Sequence, residues 1–185
     1  VIFVLVVFLG NLRAGLIVAS AIPLSLLFAL GMMNVFGVSA NLMSLGAIDF
    51  GLIVDGAVIV VEATLHHLGL RKSMNRLTQQ EMDQEVFLSA SKIRTSAAFG
   101  EIIILIVYIP ILTLVGVEGK MFTPMAKTVG FAILGALILS LTYIPMMCAL
   151  FLPKQQSGKK TFSDKLMEKL QQIYEPLLEK AIRFK

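Results

Sequence analysis

Between Asn41 and Glu62 the chain reads NLMSLGAIDFGLIVDGAVIVVE, an apolar stretch of helix length that carries Asp49, Asp55 and Glu62. At about 1.5 Å rise per residue, about 22 residues match a hydrocarbon core about 30 Å thick, so the stretch predicts a transmembrane helix. Acids in such a helix demand a reason, because a central Asp costs roughly 2.5–3.5 kcal/mol even on the milder insertion scales. They are functional-site candidates first and packing residues second.

The rest of the composition agrees with a membrane setting. Of 185 residues, 57% are hydrophobic and 15% charged, with a mean hydropathy of +0.85, whereas a soluble domain has about a quarter of its residues charged. The predicted fold is all-α, a polytopic bundle of transmembrane helices. Spans are expected near residues 1–9 (partial), 14–36, 41–62, 93–115 and 125–152, with a polar loop over 63–92. Val1 opens inside an apolar run and Lys185 follows an amphipathic one, so the chain reads as a fragment.

Beyond the bundle, residues 153–185 form a separate segment. Phe162, Leu166, Leu170, Ile173 and Leu177 recur at spacings of three and four, which predicts an amphipathic helix lying at the cytoplasmic membrane surface and bent at Pro176. Within the spans, Pro23 predicts a kink. Ala21, Ser25 and Ala29 on one helix, and Ala132 and Ala136 on another, present small faces that let helices approach closely. The stretch GVEGKMFTP before Met125 reads as a short connection.

Basic residues orient the chain. Arg13, the group from Arg71 to Arg94 and everything after Leu152 fall on one side, and only Lys120 and Lys127 on the other, so the first side is assigned to the cytoplasm. The net charge of +4 thus reflects topology; the expected partner is membrane lipid and not nucleic acid. Cys148 is the single cysteine, which supports neither a disulfide nor a cysteine-based metal cluster.

On a continuous helix the seven-residue step from Asp55 to Glu62 returns to the same stripe, about 10 Å further along, while the step from Asp49 to Asp55 turns about 120°. Gly46, Gly51 and Gly56 remove bulk beside the acids and predict close helix packing there. Glu101, on the following span, is expected at a depth similar to Glu62. Taking a carboxylate out of water disfavours its charge. Asp49, Asp55, Glu62 and Glu101 are therefore candidates for a proton relay, against the plainer reading of hydrogen-bonding glue. No Lys or Arg falls in the middle of a predicted span, so a cationic partner would come from sequence outside this chain.

Metal ligands are weakly indicated. Glu62 and His66 stand four residues apart, but two ligands do not make a site. Met43 and the other methionines suit Cu(I) and equally suit a packed interior. Intramembrane aspartyl proteolysis needs two Asp on facing helices, whereas Asp49 and Asp55 share one predicted helix and point apart.

Three strings, FLGNLRAGLIVASAIPLSLLFA, NLMSLGAIDFGLIVDGAVIVVE and LTLVGVEGKMFTPMAKTVGFAILGALILSL, resemble the heavy-metal efflux branch of the resistance–nodulation–division (RND) transporters. The resemblance implies spans two to six of a twelve-span inner-membrane subunit, a proton-driven secondary transporter and not an enzyme. It implies a homotrimer that joins a periplasmic adaptor and an outer-membrane channel. Asp55 would be the central proton carrier, with Asp49 and Glu62 assisting. Having both Asp49 and Asp55 is similar to the cobalt–zinc–cadmium type more than to the copper–silver type, so the implied cargo is a divalent cation such as Zn, Co, Cd or Ni, with no resident cofactor. Ala63 stands where that family usually has Asn. The sequence is also compatible with a transport-inactive scaffold or truncated product, and with an RND exporter of a non-metal substrate.

Overall fold

The computed structural model describes residues 2–39, 48–70, 78–153 and Tyr174. The elements among these residues are all helical: α1 (Ile2–Leu9), α2 (Leu12–Val35), α3 (Phe50–Leu70), α4 (Gln79–Leu112), α5 (Gly116–Leu141) and α6 (Tyr143–Phe151). Four of them, α2 to α5, are long and apolar enough to cross a membrane. The amphipathic segment over 154–185, apart from Tyr174, lies outside the described residues, as do Met43 and Gly46.

Local chemistry explains the helix starts. Gly10 takes a positive φ of 61°, ending α1, and the Asn11 side chain accepts from the Arg13 backbone N–H at 3.0 Å to begin α2. A capping box opens α4, with the Glu81 carboxylate accepting from the Thr78 backbone N–H at 2.8 Å while the Thr78 hydroxyl accepts from the Glu81 N–H. Gly116, at φ 77°, turns the chain into α5.

Helix extents differ from the hydropathy reading in three places. The region 63–92 expected as loop is helical up to Leu70 and again from Gln79, because the capping box starts α4 well before its apolar part. The expected connection before Met125 is the first part of α5, with Pro124 inside the helix. That proline removes one backbone donor and still leaves the flanking turns paired; the Thr128 hydroxyl donates to the Pro124 carbonyl at 2.8 Å. The last span breaks at Thr142, so Pro145 lies in the first turn of α6, where a missing N–H costs little.

The small faces meet as expected. Ala21, Ser25 and Ala29 are buried along α2, and Ala132 and Ala136 along α5. A Cβ added at Gly135 would come within 2.7 Å of the Phe28 ring, so only a glycine admits α2 at this separation. A bond of 3.2 Å between the Ser20 and Tyr143 hydroxyls ties α2 to α6.

Two apolar clusters fill the bundle. One gathers Val18, Ala57, Val61, Met82, Ile144 and Cys148 among others, and the second Ala29, Ile53, Val129, Ala132, Ile133 and Ala136. Ile53 belongs to one and Ala57 to the other, as do Ala136 and Ile144 respectively. The layer between the clusters is where Gly56 of α3 and Ser140 of α5 sit.

Candidate functional site

That layer contains Glu101. Its side chain projects from α4 against Gly56, and a Cβ built on Gly56 would collide with Glu101 Oε1 and lie 3.2 Å from the Ser140 Cβ. Glu101 is only 3% exposed. Neither of its carboxyl oxygens has a hydrogen bond of good geometry among the described residues, and the Ser140 hydroxyl is the one group near enough to offer a weak one. Ser140 is adjacent, yet its hydroxyl donates to the Leu137 carbonyl at 3.0 Å.

The pairing of α3 with α4 sets this depth. Thr64 and Ser89, both buried, share a hydroxyl contact of 3.2 Å, and His67 Nδ1 lies 2.9 Å from Glu85 Oε2, an ion pair when the imidazole is protonated. As residue numbers rise on α3 they fall on α4, so the helices are antiparallel and Glu101 reaches the level of Gly56. The expected alignment of Glu101 with Glu62 is therefore corrected. Glu62 lies six residues beyond Gly56, about 9 Å along the axis, and the neighbour of Glu101 is Asp55.

Asp55 is exposed and in the second turn of α3, within electrostatic range of both Asp49 and Glu101. No cation pairs with it among the described residues. Glu62 is likewise exposed, and it lies on the same stripe as Asp55, as the seven-residue step requires.

Asp49 differs from its expected position. It precedes Phe50, the first residue of α3, and its Oδ1 accepts from the Gly51 N–H at 2.8 Å. It caps the helix instead of projecting from its middle. Gly51 is exposed, and the nearest atoms to a Cβ there belong to the Asp49 carboxyl, at 3.1 Å. It leaves room for the cap and not for a neighbouring helix, whereas Gly56 does admit one.

The metal candidates fare otherwise. His66 is exposed, and no group of three or more His, Cys, Asp or Glu is placed to hold a metal ion among the described residues. A cavity of about 490 Å³ lies between the first half of α4 and the adjoining ends of α5 and α6; Gln79, Asp83, Arg94 and Ser140 are among its lining residues. Ser140 was not singled out from sequence. A hydroxyl in the apolar run LILSLTYI was the available signal.

Comparison with known proteins is consistent across sequence and structure. The AcrB/AcrD/AcrF family model matches residues 1–185. The chain is 50% identical over 185 residues to the cobalt-zinc-cadmium resistance protein CzcA of Cupriavidus metallidurans, covering 98% of this chain and 17% of that protein. It is 44% identical over 184 residues to the nickel and cobalt resistance protein CnrA of the same species, covering 98% of this chain and 17% of that protein. A crystal structure of a heavy metal efflux pump superposes with a TM-score of 0.65 at 43% identity, covering 78% of this chain and 13% of that one. The chain thus spans 17% of the length of these two relatives.

Proposed function

From a chain that belongs to the AcrB/AcrD/AcrF family, in the heavy-metal efflux branch of the RND transporters, we propose that it carries part of the proton-coupling site of a pump exporting divalent metal cations across a bacterial inner membrane. The family is one of transporters and not of enzymes, and the apolar helices make this a multi-pass membrane protein.

One observation carries the proposal: Asp55 stands on a membrane-length helix within electrostatic range of two further acids, with no cation paired to it among the described residues. An acid so placed changes its charge whenever its surroundings change, because each state of the bundle solvates it differently. Protonated, Asp55 lets the bundle close around a neutral group; deprotonated, it calls for water or a cation. Alternation between these two demands couples proton entry to a conformational cycle. Asp49 and Glu62 assist, the first from the start of α3 and the second from seven residues further along the Asp55 stripe.

The cargo reading rests on relatives named for cobalt, zinc, cadmium and nickel resistance. Copper or silver is the less favoured cargo, since Asp49 and Asp55 occur together here, as the resemblance to the cobalt–zinc–cadmium type implies. A homotrimer docked to a periplasmic adaptor and an outer-membrane channel completes the assembly we propose. The test is metal-stimulated proton flux by the full-length protein in liposomes. Asp55→Asn lowers that flux at least about a hundredfold if Asp55 is the carrier; undiminished flux removes the assignment.

A further inference from the structure

We propose that Glu101 is a second proton-carrying acid, which takes the proton from Asp55 and releases it, past Ser140, into the cavity between α4, α5 and α6. The proposal rests on the reading of Asp55 as the primary carrier.

Geometry provides three supports. Glu101 is buried between the two apolar clusters, with neither oxygen in a well-formed hydrogen bond among the described residues. Among the described residues only the Ser140 hydroxyl is near enough to stabilise the carboxylate, and that hydroxyl also donates to the Leu137 carbonyl, so the charge is poorly satisfied there. The neutral acid is the form this surrounding accepts, and an isolated carboxylate there is short-lived. Second, Gly56 makes the void that brings the carboxyl to the backbone of α3 beside Asp55. Asp55 is the ionisable group of α3 that acts on Glu101 through space, and from α5 the facing polar group is the uncharged Ser140.

Third, Ser140 belongs to two environments. Its Cβ borders the Gly56–Glu101 contact, and the residue also lines the cavity of about 490 Å³. The cavity is an open groove with mostly apolar walls, and Ser91, Arg94, Asp83 and Gln79, exposed along α4, supply the polar partners that water released past Ser140 would meet. Those residues belong to the first half of α4, toward the basic-rich side that topology assigns to the cytoplasm.

Protonated Glu101 gives its proton to a cavity water, which leaves as hydronium toward the basic-rich side. The Glu101 carboxylate, unpaired and buried, then takes the proton held by Asp55, directly or through one water, and Asp55 becomes the carboxylate. Asp55 is recharged from the opposite side of the membrane. Because the intermediate carboxylate is costly, Glu101 acts as a one-proton valve.

The experiment uses the full-length pump in proteoliposomes with an internal pH dye and Zn²⁺ as the metal. Glu101→Gln is expected to lower Zn²⁺-stimulated proton flux about tenfold or more, with Glu101→Asp restoring part of it and shifting its pH profile. Flux within twofold of wild type in Glu101→Gln overturns the valve. Wild-type flux in Asp55→Asn overturns the underlying reading instead, so the two failures are distinct. Should Glu101→Gln not fold, labelling of the wild-type protein by a hydrophobic carbodiimide decides, since that reagent attacks protonated carboxyls in apolar surroundings. Modification of the Glu101 peptide that declines as pH rises supports the role, and no modification at any pH overturns it.

Discussion

Gly56 of α3 and Glu101 of α4 occupy one another's space: the carboxyl fills the position that any larger side chain at residue 56 would need. The contact joins two helices at the level of Asp55, and it makes the least conspicuous residue of the acidic span the one that decides which acids meet.

Gly56→Ala is therefore expected to push the Glu101 carboxyl out of its pocket, destabilising the protein by about 1–3 kcal/mol through overpacking. Thermal melting in detergent measures this loss. In combination with Glu101→Ala the penalty shrinks, because the collision is gone, and the non-additivity of the two substitutions reports their contact.

Gly100 and Gly135 contrast with one another. Nothing lies within 4 Å of a Cβ placed at Gly100, whereas Gly135 faces the Phe28 ring at 2.7 Å. Gly100→Ala should leave stability unchanged or raise it by up to about 1 kcal/mol from helix propensity. Gly135→Ala should lower it by about 1–3 kcal/mol as α2 is forced from α5. Melting midpoints of the two variants, compared with wild type, provide the check.

At Asp49, capping and charge can be separated. Asn accepts the Gly51 N–H as Asp does, so Asp49→Asn keeps the stability of α3, while Asp49→Ala loses about 0.5–2 kcal/mol. Any loss of metal-stimulated proton flux in Asp49→Asn then reports the charge alone. Equal melting of the Asn and Ala variants would show that the cap contributes nothing.

Thr64 and Ser89 hold the register of α3 against α4 through buried hydroxyls 3.2 Å apart. Thr64→Val should cost about 0.5–1.5 kcal/mol. Because each hydroxyl also bonds its own helix, to the Val60 and Val86 carbonyls, the pairwise coupling is expected to be the smaller part. A double-mutant cycle with Ser89→Ala measures that coupling directly.

Hydropathy and residue type were enough to make most of the bundle legible. Runs of Leu, Ile, Val and Ala mark membrane-length helices wherever they fall, and Ala21, Ser25, Ala29, Ala132 and Ala136 announced their close packing by spacing alone. Asp55 stands out in the sequence because an acid in an apolar run is costly to place in lipid. The start of α3 was less so. Asp49 is followed by Phe50 and a glycine, and an apolar average cannot tell a capping Asp from an embedded one, although Asp is a favoured N-cap residue. The GVEGKMFTP stretch misled for a related reason: Gly and Pro mark turns on average, but a helix tolerates Pro124 once its surrounding turns are paired.

What the chain's own order of residues determines, then, is which segments lie in the membrane and that acids lie among them, since transfer from water is a property of each segment taken alone. Which acids meet is a matter of register. Glu101 faces Gly56 and not Glu62 because the antiparallel docking of α3 on α4, set by packing and by Thr64 and Ser89, fixes their relative depth, and no single helix carries that information.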